Sequence, residues 1–181
     1  PISLPLVPDR LDATVDALRS AFDQCDIVIT SGGASVGEMD FVKEAFAALG
    51  GTQEFWRVRI KPGKPFVFGS LGEKLLFGLP GNPVSAIVTF LMLARPAIVQ
   101  FQGGSENEDS FISGTLTEPL VNHGNRRHFV RVKIDGNGGV RQAGLQASHA
   151  LGALLDANGL VDTPPETTIP AGEKVRVFRW D

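Results

Sequence analysis

The first hundred residues alternate between helical spacing of apolar residues and short apolar runs. Residues 26–30 form a run typical of a buried parallel strand, and Gly50 and Gly51 end the amphipathic helical pattern that begins at Phe41. An earlier helix, with Asp9 as its N-cap, is predicted from apolar residues at intervals of three and four: Leu11, Val15, Leu18 and Phe22. Helices that alternate with apolar strands indicate an α/β fold.

Three further strands and a long helix follow. Residues 55–61 alternate between apolar and basic side chains, which predicts one strand, and two short apolar runs before residue 80 predict two more. A long helix is predicted to begin at Pro83 with Asn82 as its N-cap, and Pro96 is expected to kink or end it.

The pattern changes after a polar linker near residue 104. Short β-type runs separated by turn residues follow, at residues 111–116, 129–134 and 174–180. This arrangement is typical of a small all-β module. We therefore predict an α/β domain at residues 1–104 and a β domain at residues 105–181.

The composition is that of an ordinary globular chain of 181 residues, 43% hydrophobic and 20% charged. The net charge of −3 argues against a general nucleic-acid binder, and no uninterrupted apolar run approaches the ~20 residues that span a bilayer. The sequence has one cysteine, Cys25, and no signal-peptide pattern. These features predict a cytoplasmic protein with neither nucleic acid nor a membrane as its partner.

The loop after the first predicted strand is a candidate anion site. Glycines at the carboxyl end of a strand let several N–H groups converge, and the following helix adds the positive end of its dipole. The candidate ligands in this loop are Thr30, Ser31, Gly32, Gly33, Ser35 and Gly37. The loop has neither the ending of a P-loop nor the spacing of a dinucleotide fingerprint, and a tight strand-to-helix turn is the alternative.

A second junction of the same kind lies at residues 78–85. Ligands of open α/β sheets bind outside the carboxyl ends of strands, so two such junctions in one short domain point to one crevice. The candidate residues are Pro80, Gly81, Asn82, Pro83 and Ser85. Simple helix capping is the alternative interpretation.

Basic residues accompany the two loops. Arg57, Arg59 and Lys61 are predicted on one face of a strand, and Lys64 follows after a turn. Such a stripe is either a solvent-facing sheet edge or a set of ligands for phosphate or another oxyanion. Beside two anion-prone loops, we expect it to bind an anion.

Carboxylates near the first loop could hold a divalent cation. Glu38 and Asp40 lie in this loop, and a carboxylate beside a phosphate site commonly holds Mg²⁺. Helix caps are the alternative. The histidines have no metal-ligand spacing and are expected to be surface or loop residues: His123, His128 and His149.

Three motifs, in this order, resemble the molybdopterin molybdenumtransferases of the MoeA/gephyrin E-domain family. They are ITSGGASVGEMD at residues 29–40, FWRVRIKPGKPF at 55–66 and GLPGNPVS at 78–85. The resemblance is to the C-terminal half of these proteins, strong in the α/β part and looser in the β module. It implies a three-layer molybdopterin-binding-like α/β domain, missing its first strand and helix, followed by a small all-β, barrel-like domain.

The resemblance also implies an activity, the insertion of molybdate into adenylylated molybdopterin with release of AMP, supported by Mg²⁺. Acidic and basic active-site positions of the family are matched by Asp9, Asp40, Arg57 and Lys61, although Arg57 stands where a lysine also occurs. Metal binding is assigned to Asp40 and Glu38. Pterin binding is assigned to the two loops, Lys64, Arg131 and Ser148.

The implied partners are a small-molecule pterin substrate and a second copy of the chain. Family members carry further domains before this region and build their sites between subunits. The chain is therefore expected to be part of a longer polypeptide, completed by missing N-terminal domains or a neighbouring subunit. A pterin-phosphate-binding fragment without independent catalysis is the alternative, and a peptide-binding scaffold is a third interpretation.

Overall fold

A computed structural model describes residues 1–33, 41–105, 110–147 and 150–180 of the chain. These residues pack as two compact units. The first, the α/β unit, comprises Pro1–Val58 and Gly63–Asn82. The second, the barrel unit, comprises Arg59–Pro62 and Pro83–Asp181.

Helices and strands alternate in the first part of the chain, and strands predominate in the last part. The helices are α1 Leu11–Gln24, α2 Phe41–Ala48, α3 Pro83–Thr89, α4 Arg95–Phe101 and α5 Gly152–Asp156, with a π-helical turn at Phe90–Ala94. The strands are β1 Ile27–Ser31, β2 Thr52–Arg57, β3 Ile60–Lys61, β4 Pro65–Leu71, β5 Lys74–Leu79, β6 Phe111–Leu116, β7 Leu120–Asn122, β8 Arg127–Ile134, β9 Gly139–Gln142, β10 Gly159–Thr163, β11 Thr167–Ile169 and β12 Lys174–Arg179.

The α/β unit is built on a four-stranded sheet with the strand order β1-β5-β4-β2. β1 and β5 are parallel, from Ile27 opposite Leu75 to Ser31 opposite Leu79, and the other two pairs are antiparallel. The predicted helices and strands of this unit are confirmed, apart from two details described below. Apolar faces of α1 and α2 join the sheet in one core that includes Leu18, Phe22, Val42, Phe46, Val67 and Leu76.

The start of α1 differs from the prediction. Arg10 occupies the N-cap position and makes no side-chain capping hydrogen bond, so the prediction that Asp9 caps this helix is wrong. Asp12 supplies the acidic group of the first turn, where a carboxylate suits the helix dipole, and accepts the N–H of Ala13 at 2.8 Å. Leu11 is exposed, because the buried face is made by Thr14, Leu18, Ala21 and Phe22.

The single strand predicted at residues 55–61 is also wrong. β2 ends at Arg57, and the N–H of Val58 donates to the carbonyl of Lys64 at 3.1 Å. The pairing of β2 with β4 is already irregular before that point, with register shifts on both sides of Phe55. The alternating pattern therefore covers the end of one strand and a separate short strand, β3.

β3 belongs to the barrel unit, where it pairs in parallel with β8 and places Lys61 opposite His128. Arg57 lies in the α/β unit, whereas Arg59 and Lys61 lie in the barrel unit. The three basic residues thus do not form the predicted stripe, because the backbone changes its hydrogen-bonding partner between the first and the second of them.

One helical segment of 19 residues, Pro83–Phe101, runs through α3, the π-helical turn and α4. The prediction that a helix begins at Pro83 is confirmed, but Pro96 does not end it. Proline removes an N–H and crowds the preceding turn of an α-helix. Here the π-helical turn directly precedes α4 and carries the altered hydrogen bonding that proline requires.

This segment has the length and composition to cross a membrane, with a mean hydropathy of 1.7 over its most apolar stretch. One such helix is weak evidence for a span, because the core helices of globular domains have the same properties. Three of its residues, Val88, Leu91 and Met92, pack with Leu160 and Phe178 of the barrel unit.

The barrel unit contains a closed five-stranded barrel with the order β10-β12-β6-β9-β8, completed by the pairing of β8 with β10. β3 adds to the outside of this ring at β8, and β7 pairs with β11. The predicted β module is confirmed. Its interior is filled by Leu116, Leu120, Val130, Val132, Ile134, Val140, Val161, Val175 and Val177. The domain boundary near residue 104 stays a prediction.

Candidate functional site

The two strand-to-helix loops of the α/β unit lie against each other. β1 and β5 are neighbouring parallel strands, so their carboxyl ends meet at the same edge of the sheet. Gly32 donates its N–H to the carbonyl of Leu79 at 3.1 Å, and a Cβ on Gly81 would lie 3.3 Å from the Cα of Gly32. The structure thus brings the two predicted loops into contact.

The first loop is shaped by glycines at the end of β1. Gly32 and Gly33 have φ angles of 88° and 65°, a region that favours glycine, and a Cβ on Gly33 would lie 2.8 Å from Cγ2 of Val42. Thr30 has a buried Oγ1 with no hydrogen-bond partner among the described residues. A ligand with a polar group would satisfy this hydroxyl. Ser35 and Gly37 lie outside the described residues.

A cavity of about 710 Å³ adjoins this loop. Its polar lining includes Asp9, Thr30 and Ser31, together with backbone of Gly32 and Gly33. The remaining wall is mainly apolar and comes from residues 2–8, α1 and β1. Cavities of this size, with a few polar groups in an apolar wall, are typical of small-molecule sites. The structure therefore places the predicted Asp9 at the same cavity as the first loop.

The second loop leads from β5 into α3. Pro80 and Ser85 are buried, whereas Gly81 and Pro83 are exposed and Asn82 is half-buried. The carbonyl of Ser85 accepts the Thr89 hydroxyl at 2.8 Å, inside the helical segment.

Carboxylates that could hold a metal do not form a cluster in the described ranges. Glu38 and Asp40, the predicted metal ligands, lie outside those ranges. Within residues 1–33, 41–105, 110–147 and 150–180, no group of three or more His, Cys, Asp or Glu side chains could hold an ion. The described residues therefore provide no such cluster of donors for Mg²⁺.

Arg57 is stacked on an aromatic ring at the end of β2. Its guanidinium carbon lies 3.7 Å from the ring centroid of Trp56, and the Lys43 ammonium lies 4.3 Å from the same centroid. Two cations thus share one indole, whose electron-rich face stabilises them. Lys64 is exposed after the following turn. This cluster gives the α/β unit a local positive charge despite the negative net charge of the chain.

Arg131 is the most unusual residue of the barrel unit, because its side chain is fully buried in the middle of β8. Its Nη2 donates to the carbonyls of Leu145 and Ala147, at 2.7 and 3.2 Å. Its Nε and Nη1 are buried and have no partner among the described residues. Burial lowers the pKa of this guanidinium from its ordinary value. A buried cation with unused donors is costly unless an anion compensates it.

His128 is the second residue of the same strand, so the prediction that it is a surface or loop residue is wrong. The side chain is 4% exposed, and its Nε2 is buried without a partner in the described part of the chain. Its pKa is lowered to about 4, mainly by burial and further by the charges of Lys61, Arg131 and Arg126. Three cations therefore surround one neutral imidazole.

The sequence did not predict the burial of His128 or the contact that Gln146 makes with Arg131. His128 is two residues before Val130 and four before Val132, so the period of two could have placed it on the buried face of β8. Gln146 pairs with the main chain of Arg131 from an irregular loop, and no periodic signal predicts that contact. Ser148 lies outside the described residues.

Together, the fold and these groups define a class of protein, in which an α/β unit with an anion-prone ligand cavity is combined with a β-barrel that buries an arginine. Residues 1–100 match the family model described as "Probable molybdopterin binding domain", and residues 113–180 match "MoeA C-terminal region (domain IV)". The chain belongs to the molybdopterin molybdenumtransferase family, that of MoeA and the gephyrin E domain.

Individual relatives agree with this assignment. The molybdopterin molybdenumtransferase of Haemophilus influenzae is 39% identical, over 97% of this chain and 45% of that protein. The molybdenum cofactor synthesis protein cinnamon of Drosophila melanogaster is 38% identical, over 97% of this chain and 31% of that protein. The crystal structure of the molybdopterin biosynthesis moeA protein from Pyrococcus horikosii superimposes with a TM-score of 0.79 at 28% identity, covering 97% of this chain and 42% of that one. The chain thus spans less than half the length of these relatives.

Proposed function

We propose that this chain acts in molybdenum cofactor biosynthesis, where it inserts molybdate into adenylylated molybdopterin with release of AMP. We also propose that the chain works as part of a longer polypeptide, because it spans 45% of the Haemophilus influenzae molybdopterin molybdenumtransferase. A homodimer in the cytoplasm and a requirement for Mg²⁺ belong to the same proposal.

The observation that carries the proposal is the buried Arg131. A guanidinium has five N–H donors, and those on Nε and Nη1 have no partner among the described residues. Molybdate is a dianion with four acceptor oxygens, which suits both the charge and the open donors. Lys61 lies one strand away, opposite His128, and its charge reaches the same region as that of Arg131. We therefore assign Arg131 and Ser148, which the family resemblance placed among the pterin ligands, to the oxyanion instead, together with Lys61.

The pterin phosphate is assigned to the loops of the α/β unit. The first loop offers the Thr30 hydroxyl, which has no partner among the described residues, and Gly81 of the second loop lies beside Gly32. Asp9 lines the adjoining cavity. The further assigned ligands are Ser35, Gly37 and Lys64 for the pterin, Arg57 and Asp40 for catalysis, and Asp40 with Glu38 for Mg²⁺.

An activity assay tests the proposal in the longer chain. Asp40→Asn and Lys61→Ala are expected to abolish molybdate-dependent AMP release, because each removes a charge from the site. Arg141→Ala is the matched control for Lys61→Ala, since this exposed arginine pairs with Asp156 at 3.1 Å and its removal also takes away one positive charge. Normal turnover in both site variants would show that the assignment is wrong.

A binding assay separates the oxyanion site from catalysis. We expect Arg131→Ala to weaken molybdate binding to the 181-residue chain by about tenfold to a hundredfold, since a hydrogen bond to a charged group contributes about 1.5–3 kcal/mol. Arg141→Ala is expected to leave the affinity unchanged. Isothermal titration calorimetry measures both. If the chain binds a pterin phosphate but never releases AMP, the binding-fragment alternative is correct.

A further inference from the structure

Gln146 pairs with the main chain of Arg131 as a neighbouring strand would. The Arg131 N–H donates to Oε1 of Gln146 at 2.9 Å, and Nε2 of Gln146 donates to the Arg131 carbonyl at 3.0 Å. The same Nε2 donates to the carbonyl of Ala143 at 2.9 Å. One side-chain amide therefore fastens its own loop to the middle of β8.

The residues on either side of Gln146 hold the guanidinium. The carbonyls of Leu145 and Ala147 both accept hydrogen bonds from Nη2 of Arg131, at 2.7 and 3.2 Å. The Ala143 N–H gives the loop one more contact, 2.9 Å from the Arg131 carbonyl. Because both acceptors flank Gln146 directly, their positions depend on where its amide is anchored.

We propose that Gln146 is a positioning residue for the oxyanion site at Arg131. By fixing residues 143–147 on β8, Gln146 directs the carbonyls of Leu145 and Ala147 to Nη2 of Arg131. The N–H groups on Nε and Nη1 then remain available to bind the anion. This inference rests on the proposed function, in which Arg131 binds molybdate. Gln146 itself does not contact the oxyanion.

The same strand offers a matched comparison. The Ile134 N–H donates to Oδ1 of Asn158 at 2.9 Å, and Nδ2 of Asn158 donates to the Ile134 carbonyl at 3.0 Å. Asn158 thus makes the same two-bond pairing as Gln146, and both side chains are half-buried. The described hydrogen bonds of residues 157–159 include none to a guanidinium. A purely structural role predicts equal effects for the two amides.

The experiment compares Gln146→Leu, Asn158→Leu and Arg131→Ala in the 181-residue chain. Molybdate affinity is measured by calorimetry, thermal stability by circular dichroism, and the Arg131 Nε–H signal by ¹H–¹⁵N spectroscopy. We expect Gln146→Leu to weaken molybdate binding about tenfold, the low end of what losing an orienting partner costs a metal ligand. The Arg131 Nε–H signal should shift or broaden as well. Asn158→Leu should lower thermal stability while leaving affinity within about twofold, because it leaves residues 143–147 in place.

Gln146→Asn covers the case in which the leucine variant does not fold. It keeps an amide but is one methylene shorter, so from the backbone position of residue 146 it does not reach both main-chain groups of Arg131 as Gln146 does. We expect the same loss of affinity with a smaller loss of stability. If Gln146→Asn binds molybdate as tightly as the unmodified chain while Arg131→Ala loses affinity, the positioning role is overturned and the oxyanion site stands. If Arg131→Ala keeps full affinity, the proposed function of Arg131 fails instead.

Discussion

Acidification should destabilise this protein through one buried side chain, His128. The neutral imidazole is favoured in the folded state, where its pKa is about 4, whereas the ordinary pKa of an exposed histidine is 6.5. The unfolded chain therefore binds a proton at a pH where the folded chain does not, and stability falls as the pH decreases from 6.5 to 4. Above pH 6.5 the imidazole is mostly neutral in both states, so this loss of stability is nearly absent.

The magnitude follows from the two pKa values. At about 1.4 kcal/mol per pKa unit, a gap between 6.5 and about 4 corresponds to roughly 3 kcal/mol when the pH is below both values. Between pH 7 and pH 5 the loss amounts to about 2 kcal/mol. The charges of Lys61, Arg126 and Arg131 act in the same direction as burial, so no neighbouring group of this set offsets the effect.

Denaturant unfolding at pH 7 and pH 5 measures this loss. Other groups also titrate in this range, so the quantity of interest is the difference between the unmodified chain and His128→Leu. Leucine does not titrate, and it replaces a buried nitrogen that has no partner among the described residues. Between pH 7 and pH 5 this variant should therefore lose about 2 kcal/mol less of its free energy of unfolding than the parent does. His123→Leu is the control, because that histidine is exposed and should behave as the parent does. Equal pH dependence in the parent and in His128→Leu would refute the reasoning.

Two further predictions concern the α/β unit. Leu76 is fully buried, so Leu76→Ala should lower the free energy of unfolding by about 2–5 kcal/mol, whereas Leu155→Ala at an exposed site should change it by less than about 0.5 kcal/mol; thermal denaturation compares the two. Gly33→Ala should cost about 1–3 kcal/mol, because the new Cβ meets Val42 and the φ angle is positive. Gly50→Ala, with a positive φ but open space, should cost only about 1 kcal/mol, and equal losses would argue against the Val42 contact.

The sequence predicts the α/β unit well where a pattern is strong over a whole element. The two short apolar runs before residue 80 correspond to β4 and β5, and α2 ends next to the glycines that are predicted to close it. The contact between the loops at Gly32 and Gly81 follows from β1 and β5 being adjacent and parallel. Buried strands and helix ends leave local signals, so they can be found without the tertiary structure.

Other features depend on contacts that no local pattern encodes. The alternation at residues 55–61 continues smoothly through Val58, although the backbone changes sheets there, because a period of two does not report which strand lies opposite. His128 was misplaced because its residue type outweighed its position in the strand. Gln146 acts through a loop, and loops carry no periodicity.

The short β3 has a consequence for the modularity of the chain. Segments of the α/β unit precede and follow Ile60 and Lys61 in the sequence, yet these two residues pair with β8. Next to them, Arg127 donates its N–H to the carbonyl of Arg59 at 3.1 Å. The chain crosses between the units three times, after Val58, Pro62 and Asn82. A separately inherited or expressed barrel that begins after residue 82 would lack this strand and the lysine it carries. The two sequence modules are thus interleaved along the chain rather than joined end to end.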